Sequence, residues 1–313
     1  MSYVLVGRQR SADFQSALHD GELAGSLCAD GRAKPTESRR SDLARERAAA
    51  ARAALADCQL CEHHCGVNRL AGELGRCHAG PAARVFLAQL EVGDELELIP
   101  TFAIALSGCD LRCDFCLTGA ESWQPRAGEA LPIETLGRRA GRALASGART
   151  VMLLGGEPTI HLPFALELVA ALPETAKLVW KTNAHGSAQA REWLDGLFDV
   201  WLADYKFGND VCAQRLSGPA VYSAAVRENL LWARQHSELI VRHLLMPGHL
   251  ECCWRTIAEW LAAELPGVKV SLRASFWPAW HAARHPELRR TVPADEARRA
   301  FELAEDLGLH LIP

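Results

Sequence analysis

Apolar runs of strand length recur along most of the chain, at 102–107, 149–154, 177–182, 199–204, 239–246 and 268–273. Stretches with helical spacing separate them. Ala165, Leu168, Val169 and Leu172 keep the i, i+3, i+4, i+7 pattern of one helix face. Trp254, Ile257, Ala258 and Leu261 do the same, as do Ala297, Ala300, Phe301 and Ala304. A last short strand, 309–312, follows Gly308, which suits a helix C-cap. Strands alternating with amphipathic helices build parallel βα units. Six such units fall short of the eight in a closed barrel. The expected fold is therefore α/β, a partial parallel (β/α)6 TIM-like barrel over 101–313.

Two segments precede it. Residues 1–40 show no sustained apolar period and are expected to form a flexible leader. Residues 41–100 are expected to hold a helix, a small cysteine-rich metal module and a hairpin. The helix is the Ala- and Arg-rich stretch 41–57 with Ser41 as N-cap, its arginines forming a solvated face. The hairpin pairs strands 84–92 and 95–99 around Gly93–Asp94. No run of about 18 apolar residues suggests a membrane span, and no secretory signal opens the chain. A cytoplasmic protein without a membrane partner is expected. The formal net charge of −4 gives no basis for a nucleic-acid partner.

Cysteine usage narrows the chemistry. The chain holds 11 cysteines, and structural disulfides are disfavoured in a reducing compartment, so metal or cluster binding is expected. Cys58, Cys61, Cys65 and Cys77 read C-x2-C-x3-C-x11-C, with Gly66, Gly72 and Gly75 supplying turns. His63, His64 and His78 lie close enough to compete as ligands. Cys109, Cys113 and Cys116 read C-x3-C-x2-C and directly follow the first barrel strand. That places them at the C-terminal strand ends, where such barrels put their chemistry. Three thiolates can hold three irons of a 4Fe-4S cluster and leave the fourth open. The alternative is zinc, with His161 supplying a fourth ligand. Cys28, Cys212, Cys252 and Cys253 read as ordinary thiols.

The second cysteine group, with Phe115 before its last Cys, resembles the signature of the radical S-adenosylmethionine (SAM) enzymes. Gly155-Gly156-Glu157-Pro158 ends the second strand, where that superfamily keeps a GGE segment. The resemblance implies that Gly155, Gly156 and Glu157 belong to the SAM site, whose backbone binds the methionyl ammonium. Lys181-Thr182-Asn183, Asp204-Tyr205-Lys206 and the Val241-Arg242-His243 to Pro247-Gly248 segment are similar, in order and strand-end placement, to segments of the glycyl-radical-enzyme activases. In that family the positions of Thr182, Asn183, Asp204, Lys206 and Arg242 contact SAM or line its site. The upstream cysteines resemble those of a branch labelled pyruvate formate-lyase-activating-like. They could hold zinc or a second 4Fe-4S cluster. The implied activity is reductive cleavage of SAM and hydrogen abstraction from a substrate. An electron donor such as flavodoxin or ferredoxin is implied, and a glycyl-radical enzyme is one candidate partner.

Departures separate the chain from the activases. Leu117-Thr118 stand where the branch has Gln-Asn, and Lys181 and Ala184 replace the Asp and Gly of a D-T-N-G segment. Trp277, Pro278 and His281 resemble a displaced L-P-Y-H text, with Trp280 beside them. These changes weigh against a glycine in a partner as the substrate. Two alternatives stand beside the activase reading: a radical SAM enzyme acting on a small metabolite or another protein side chain, and a non-catalytic zinc-binding interaction protein.

Overall fold

A computed structural model describes residues 39–93 and 95–313. The expected leader, with Cys28, therefore lies almost wholly outside the described residues. Residues 38–313 form one unit.

The helix expected at 41–57 is α1 (Arg40–Ala53), continued by a 3-10 turn to Asp57. It buries Ala44, Ala48 and Ala51, small residues that allow close approach to a neighbouring helix. Ser41 is not its N-cap. Arg39 holds that position without a side-chain bond, and the Ser41 N–H is taken by Glu174 Oε1 at 3.0 Å. Nor are its arginines all solvated. Arg40 donates to Ala176 O at 2.8 Å, Arg47 to Trp193 O at 3.1 Å, and Arg52 meets Glu167 at 2.8 Å.

The sheet has eight strands in sequence order. They are β1 (Val85–Glu91), β2 (Thr101–Leu106), β3 (Thr150–Gly155), β4 (Leu178–Thr182), β5 (Val200–Asp204), β6 (Glu238–Leu244), β7 (Lys269–Arg273) and β8 (His310–Leu311). β1 pairs antiparallel with β2, and every later ladder is parallel. The helices are α2 (Ala120–Trp123), α3 (Ile133–Ala145), α4 (Leu162–Val169), α5 (Ala188–Leu194), α6 (Asp210–Ser217), α7 (Ser223–His236), α8 (Thr256–Glu264) and α9 (Ala294–Asp306). This is the expected α/β partial barrel, its edges being β1 and β8. No helix among the described residues is long and apolar enough to cross a membrane.

Two details differ from the sequence expectation. Residues 95–99 form no strand, and β1 makes its hairpin with β2 instead. Glu95 and Leu98 are buried, and Pro100 lacks the N–H a ladder needs. On α9 the inward stripe is Ala300 and Ala304, while Phe301 is exposed.

The period-2 alternation of strands stratifies the barrel lumen. Leu98, Met152, Val179, Val200, Leu202 and Ile240 form an apolar floor. Two residues further along the strands from Val179, Leu202 and Ile240 stand Lys181, Asp204 and Arg242, on the same face and nearer the C-terminal ends. A charged layer thus lies above an apolar floor.

Candidate active site and upstream cysteine module

Cys109, Cys113 and Cys116 occupy the loop that leaves β2. Cys109 and Cys113 are buried and Cys116 is half-buried. The loop is pinned from several directions. The Asp114 N–H donates to Leu216 O of α6 at 2.9 Å, and the His281 N–H donates to Asp114 O at 2.7 Å. Phe115 packs edge-on against Phe207 at 5.9 Å. Burial raises the Cys113 thiol to about 12, against the opposing pull of Lys206. Burial, reinforced by Asp110, lifts Cys109 as well. Positive charge at the site, or a bound metal, is what would favour these thiolates.

The GGE segment forms the wall beside this loop. A Cβ on Gly156 would lie 2.0 Å from Gly108 O, and one on Gly155 2.1 Å from Leu106 O, so the ends of β2 and β3 touch backbone to backbone. Glu157 is buried and ties β3 to β4. It accepts from the Thr159 N–H (3.0 Å), the Thr159 hydroxyl (2.6 Å), the Thr182 hydroxyl (2.8 Å) and the Asn183 N–H (2.7 Å). Burial and nearby Asp110 raise its carboxyl to about 7 against those donors. Asn183 Nδ2 donates to Asp110 Oδ1 at 2.7 Å and stands 3.8 Å from Cys109 Sγ.

Asp204 and Lys206 pair at 2.6 Å. Burial alone would lower the Lys206 ammonium, but Asp204 and the Cys113 thiol hold it above its ordinary value. Arg242 presents its fork to Glu95, with Nε and one terminal nitrogen each 2.7 Å from a carboxylate oxygen. Arg273 stands 3.3 Å from the same carboxylate. Glu95 is fully buried. His161, weighed in sequence as a zinc ligand, instead faces Ser107 O at 2.7 Å, and burial drops it to about 4.

Sequence reasoning missed Asp110, His185 and Glu95. Asp110 and His185 are fully buried and joined at 2.8 Å, and the second ring nitrogen of His185 meets Val221 O at 2.9 Å. Two acceptors on one ring favour the imidazolium. Burial alone would lower His185, but the Asp110 bond holds it above its ordinary value. Only the position of Asp110 inside the cysteine motif offered a hint.

The upstream module docks on this pair. Its backbone bonds the β4–α5 loop, Glu62 N–H to His185 O at 3.1 Å and Ser187 N–H to Leu60 O at 3.1 Å. His63 Nε2 lies 3.2 Å from Asp110 O. Cys58, Cys61, Cys65 and Cys77 line one pocket with Arg69, Gly75 and Ile160. Arg69 is buried, bonds Ile160 O at 2.8 Å, stands 3.6 Å from Cys58 Sγ, and leaves its Nε without a partner. The Arg76 N–H points at Cys65 Sγ at 3.4 Å. A Cβ on Gly75 would lie 2.8 Å from that sulfur, so the knuckle closes only over glycine. His64 pairs with Glu62 at 3.3 Å, and neither it nor His78 lines the pocket.

Ligand spacing differs between these thiols and a preformed single-ion site. A tetrahedral zinc with 2.3 Å bonds puts its sulfurs about 3.8 Å apart. Among the described residues, two groups gather three or more ligating atoms within 4.8 Å of one another: His63, Asp110 and His185, and Cys212, His249, Cys252 and Cys253. Neither the Cys109 group nor the Cys58 group does so. A cluster, with each thiolate on a different iron, accommodates thiols that do not all meet within one ion's reach. The chemistry of the Cys109 group fits a cluster, and that of the Cys58 group fits a cluster or zinc.

Comparison with known proteins agrees with the fold. Residues 104–261 match the Radical SAM superfamily. The chain is 31% identical over 265 residues to the uncharacterized protein MJ0674 of Methanocaldococcus jannaschii, covering 82% of this chain and 76% of that protein. A shorter stretch of 121 residues is 31% identical to the GTP 3′,8-cyclase of Aeromonas hydrophila, covering 36% of this chain and 35% of that one. Crystal structures of Streptococcus suis SuiB, bound to S-adenosylmethionine or to the precursor peptide SuiA, superpose with a TM-score of 0.51 at 18% identity. The match covers 65% of this chain and 46% of the peptide-bound one, so the chain spans about half the length of those structures. With its three-thiol loop at the barrel's C-terminal face, its GGE segment and these similarities, the chain belongs to the radical SAM superfamily, whose cofactors are a 4Fe-4S cluster and SAM.

Proposed function

We propose that Cys109, Cys113 and Cys116 hold the cluster at which this enzyme cleaves SAM, and that the substrate is a protein or peptide side chain presented at the barrel mouth. The observation that carries the first part is the set of three thiols, buried or half-buried, on the loop that leaves β2 beside the GGE segment. When bound, the cluster and SAM together supply an organic radical that takes a hydrogen atom from the substrate. The chain's residues bind and orient. Gly155 and Gly156 bring bare backbone beside the Cys109 loop, and Glu157 fixes that segment to Thr182 and Asn183. Lys181, Lys206 and Arg242 surround Asp204, and Arg242 and Arg273 meet Glu95, so cationic groups stand at the strand ends where an anionic group such as the SAM carboxylate would bind. The Lys206 ammonium also balances thiolate charge at Cys113.

The substrate class rests on the rim. Leu117, Trp277 and Trp280 are exposed in the cysteine loop and in the segment after β7, a surface suited to a macromolecular partner. The SuiB neighbour bound to a precursor peptide is in keeping with this reading. A glycyl-radical enzyme is one such partner, although Lys181 and Ala184 replace residues of the activase segment. In the upstream module we propose that Cys58, Cys61, Cys65 and Cys77 would hold a second 4Fe-4S cluster, which would supply a path for electrons from a flavodoxin- or ferredoxin-type donor. Arg69 offsets its charge, and His63 links the module to the Cys109 loop.

The test is anaerobic reconstitution, with iron, sulfide and zinc quantified, then assay of 5′-deoxyadenosine under dithionite. About eight irons per chain and SAM cleavage are expected. A fully loaded protein that cleaves no SAM would reject the reading. Multiple turnovers with a small metabolite, and none with any polypeptide, would reject the substrate class alone.

A further inference from the structure

Three thiols outside both cysteine motifs meet in space. Cys212 lies in the first turn of α6. Cys252 and Cys253 lie in a π-turn, Leu250–Arg255, that leads into α8, and His249 directly precedes it. Adjacent residues on an α-helix diverge by about 100°. The wider π-turn reduces that divergence, and such turns are frequent at functional sites. Here it aims two neighbouring cysteines at one point.

The distances describe a coordination shell. Cys252 Sγ lies 3.9 Å from both Cys212 Sγ and Cys253 Sγ. His249 Nδ1 lies 3.4 Å from the sulfurs of Cys252 and Cys253. A tetrahedral Cys3His zinc site has sulfur–sulfur edges of about 3.8 Å and sulfur–nitrogen edges of about 3.6 Å. A disulfide would need about 2.05 Å between sulfurs.

His249 Nε2 stands 3.4 Å from the Arg215 guanidinium and 3.8 Å from Glu287 Oε1. With Nδ1 on a metal, Nε2 would carry the ring proton and turn from Arg215, which only donates, towards Glu287, the kind of outer carboxylate that commonly orients a ligating histidine. Asn209 caps α6 through Cys212 N–H and directs its amide to Cys212 Sγ at 3.5 Å and to Cys252 O at 2.7 Å. His249, Cys212 and Cys253 are buried and Cys252 is exposed, which leaves an entry path.

We propose that Cys212, His249, Cys252 and Cys253 bind one zinc ion. Four protein ligands close the shell, so the role is structural. The ion clamps α6 to the turn before α8. The same helix offers Leu216 O to the Asp114 N–H, and Arg215 reaches His285, which meets Asp114 Oδ2 at 2.8 Å. The zinc therefore braces the outside of the Cys113–Cys116 loop.

The test uses the full chain, purified anaerobically. Zinc is measured by mass spectrometry, and alkylation of each cysteine by peptide mapping. Zinc at about one equivalent is expected. Cys252, exposed without metal, should alkylate at least tenfold more slowly once zinc is added. Cys252→Ser and His249→Gln should each remove about one zinc per chain and leave iron content unchanged. Zinc lost with Cys61→Ser but kept in both these variants would overturn the proposal. So would equal Cys252 alkylation with and without zinc, or recovery of a disulfide-linked Cys212–Cys252 or Cys252–Cys253 peptide under anaerobic handling. The alkylation measurement uses the unaltered chain and stands even where a variant fails to fold.

Discussion

The two cysteine motifs use the same ligand and are built in opposite ways. The Cys58–Cys77 module is a local knuckle. Its fourth cysteine comes from the same short segment, a glycine lets its turn close against Cys65, and a buried arginine faces one of its sulfurs. The Cys109–Cys116 loop is held from a distance, by α6, by the segment after β7 and by Asn183 at the end of β4. It supplies three thiols and no fourth. A closed set of four suits a site that passes electrons, and an open set of three suits one that must accept a ligand. The knuckle thus closes on its own turn and docks as a unit on the β4–α5 loop, while the Cys109 loop is held piece by piece by the surrounding barrel.

The largest expected effect is at Cys113. Replacing it with Ala should lower 5′-deoxyadenosine formation at least about a thousandfold, equivalent to about 4 kcal/mol of barrier. Upstream iron should remain. Survival of cleavage would remove the distinction between the two motifs. The next largest effect concerns Glu157, which serves the loop from across the sheet. Its carboxyl is raised to about 7 in the fold, by burial first and Asp110 second. A raised carboxyl favours the folded state at low pH. That contribution is full below the unfolded value near 4.5 and is lost as pH rises towards 7, up to about 3 kcal/mol in all. Thermal unfolding of the chain against pH should show this slope, and Glu157→Gln should lack it whatever its absolute stability. An unchanged slope in the variant would mean that the carboxyl titrates normally.

The same division explains what the sequence could tell. The barrel strands were legible because each is a compact apolar run, and the observed β2 to β7 fall within two residues of the expected ends. The metal motifs were legible because their ligands are close in sequence. Residues 95–99 misled because alternating Glu and Leu imitate a strand, when Glu95 is in fact buried against Arg242 and Arg273. That pairing spans 147 positions, and the Asp110–His185 pair spans 75. No local pattern encodes either. Cys212 and Cys252 are likewise 40 residues apart and meet only because a π-turn follows β6. Adjacent cysteines on a regular helix would not converge, so no spacing pattern groups them.

Two smaller effects sharpen the contrast from the knuckle's side. Gly75→Ala places a methyl 2.8 Å from Cys65 Sγ, with Cys65 Cβ at 2.9 Å and Val67 Cγ2 at 3.3 Å. Neither neighbour is the loose end of a long side chain, so the turn must open, at a cost of about 1–3 kcal/mol. Upstream iron should fall while iron at the Cys109 loop stays, which iron quantification beside a Cys113→Ala control would separate. Cys61→Ser removes a ligand outright and isolates what the knuckle does. Dithionite reduces an exposed or a buried cluster without help from a relay. With dithionite, cleavage by the variant should therefore remain within about twofold of the parent. With a flavodoxin-type donor it should fall about tenfold, or about 1.4 kcal/mol. Equal losses with both reductants would make the module a brace for Asp110 and His185 through His63, and not a path for electrons.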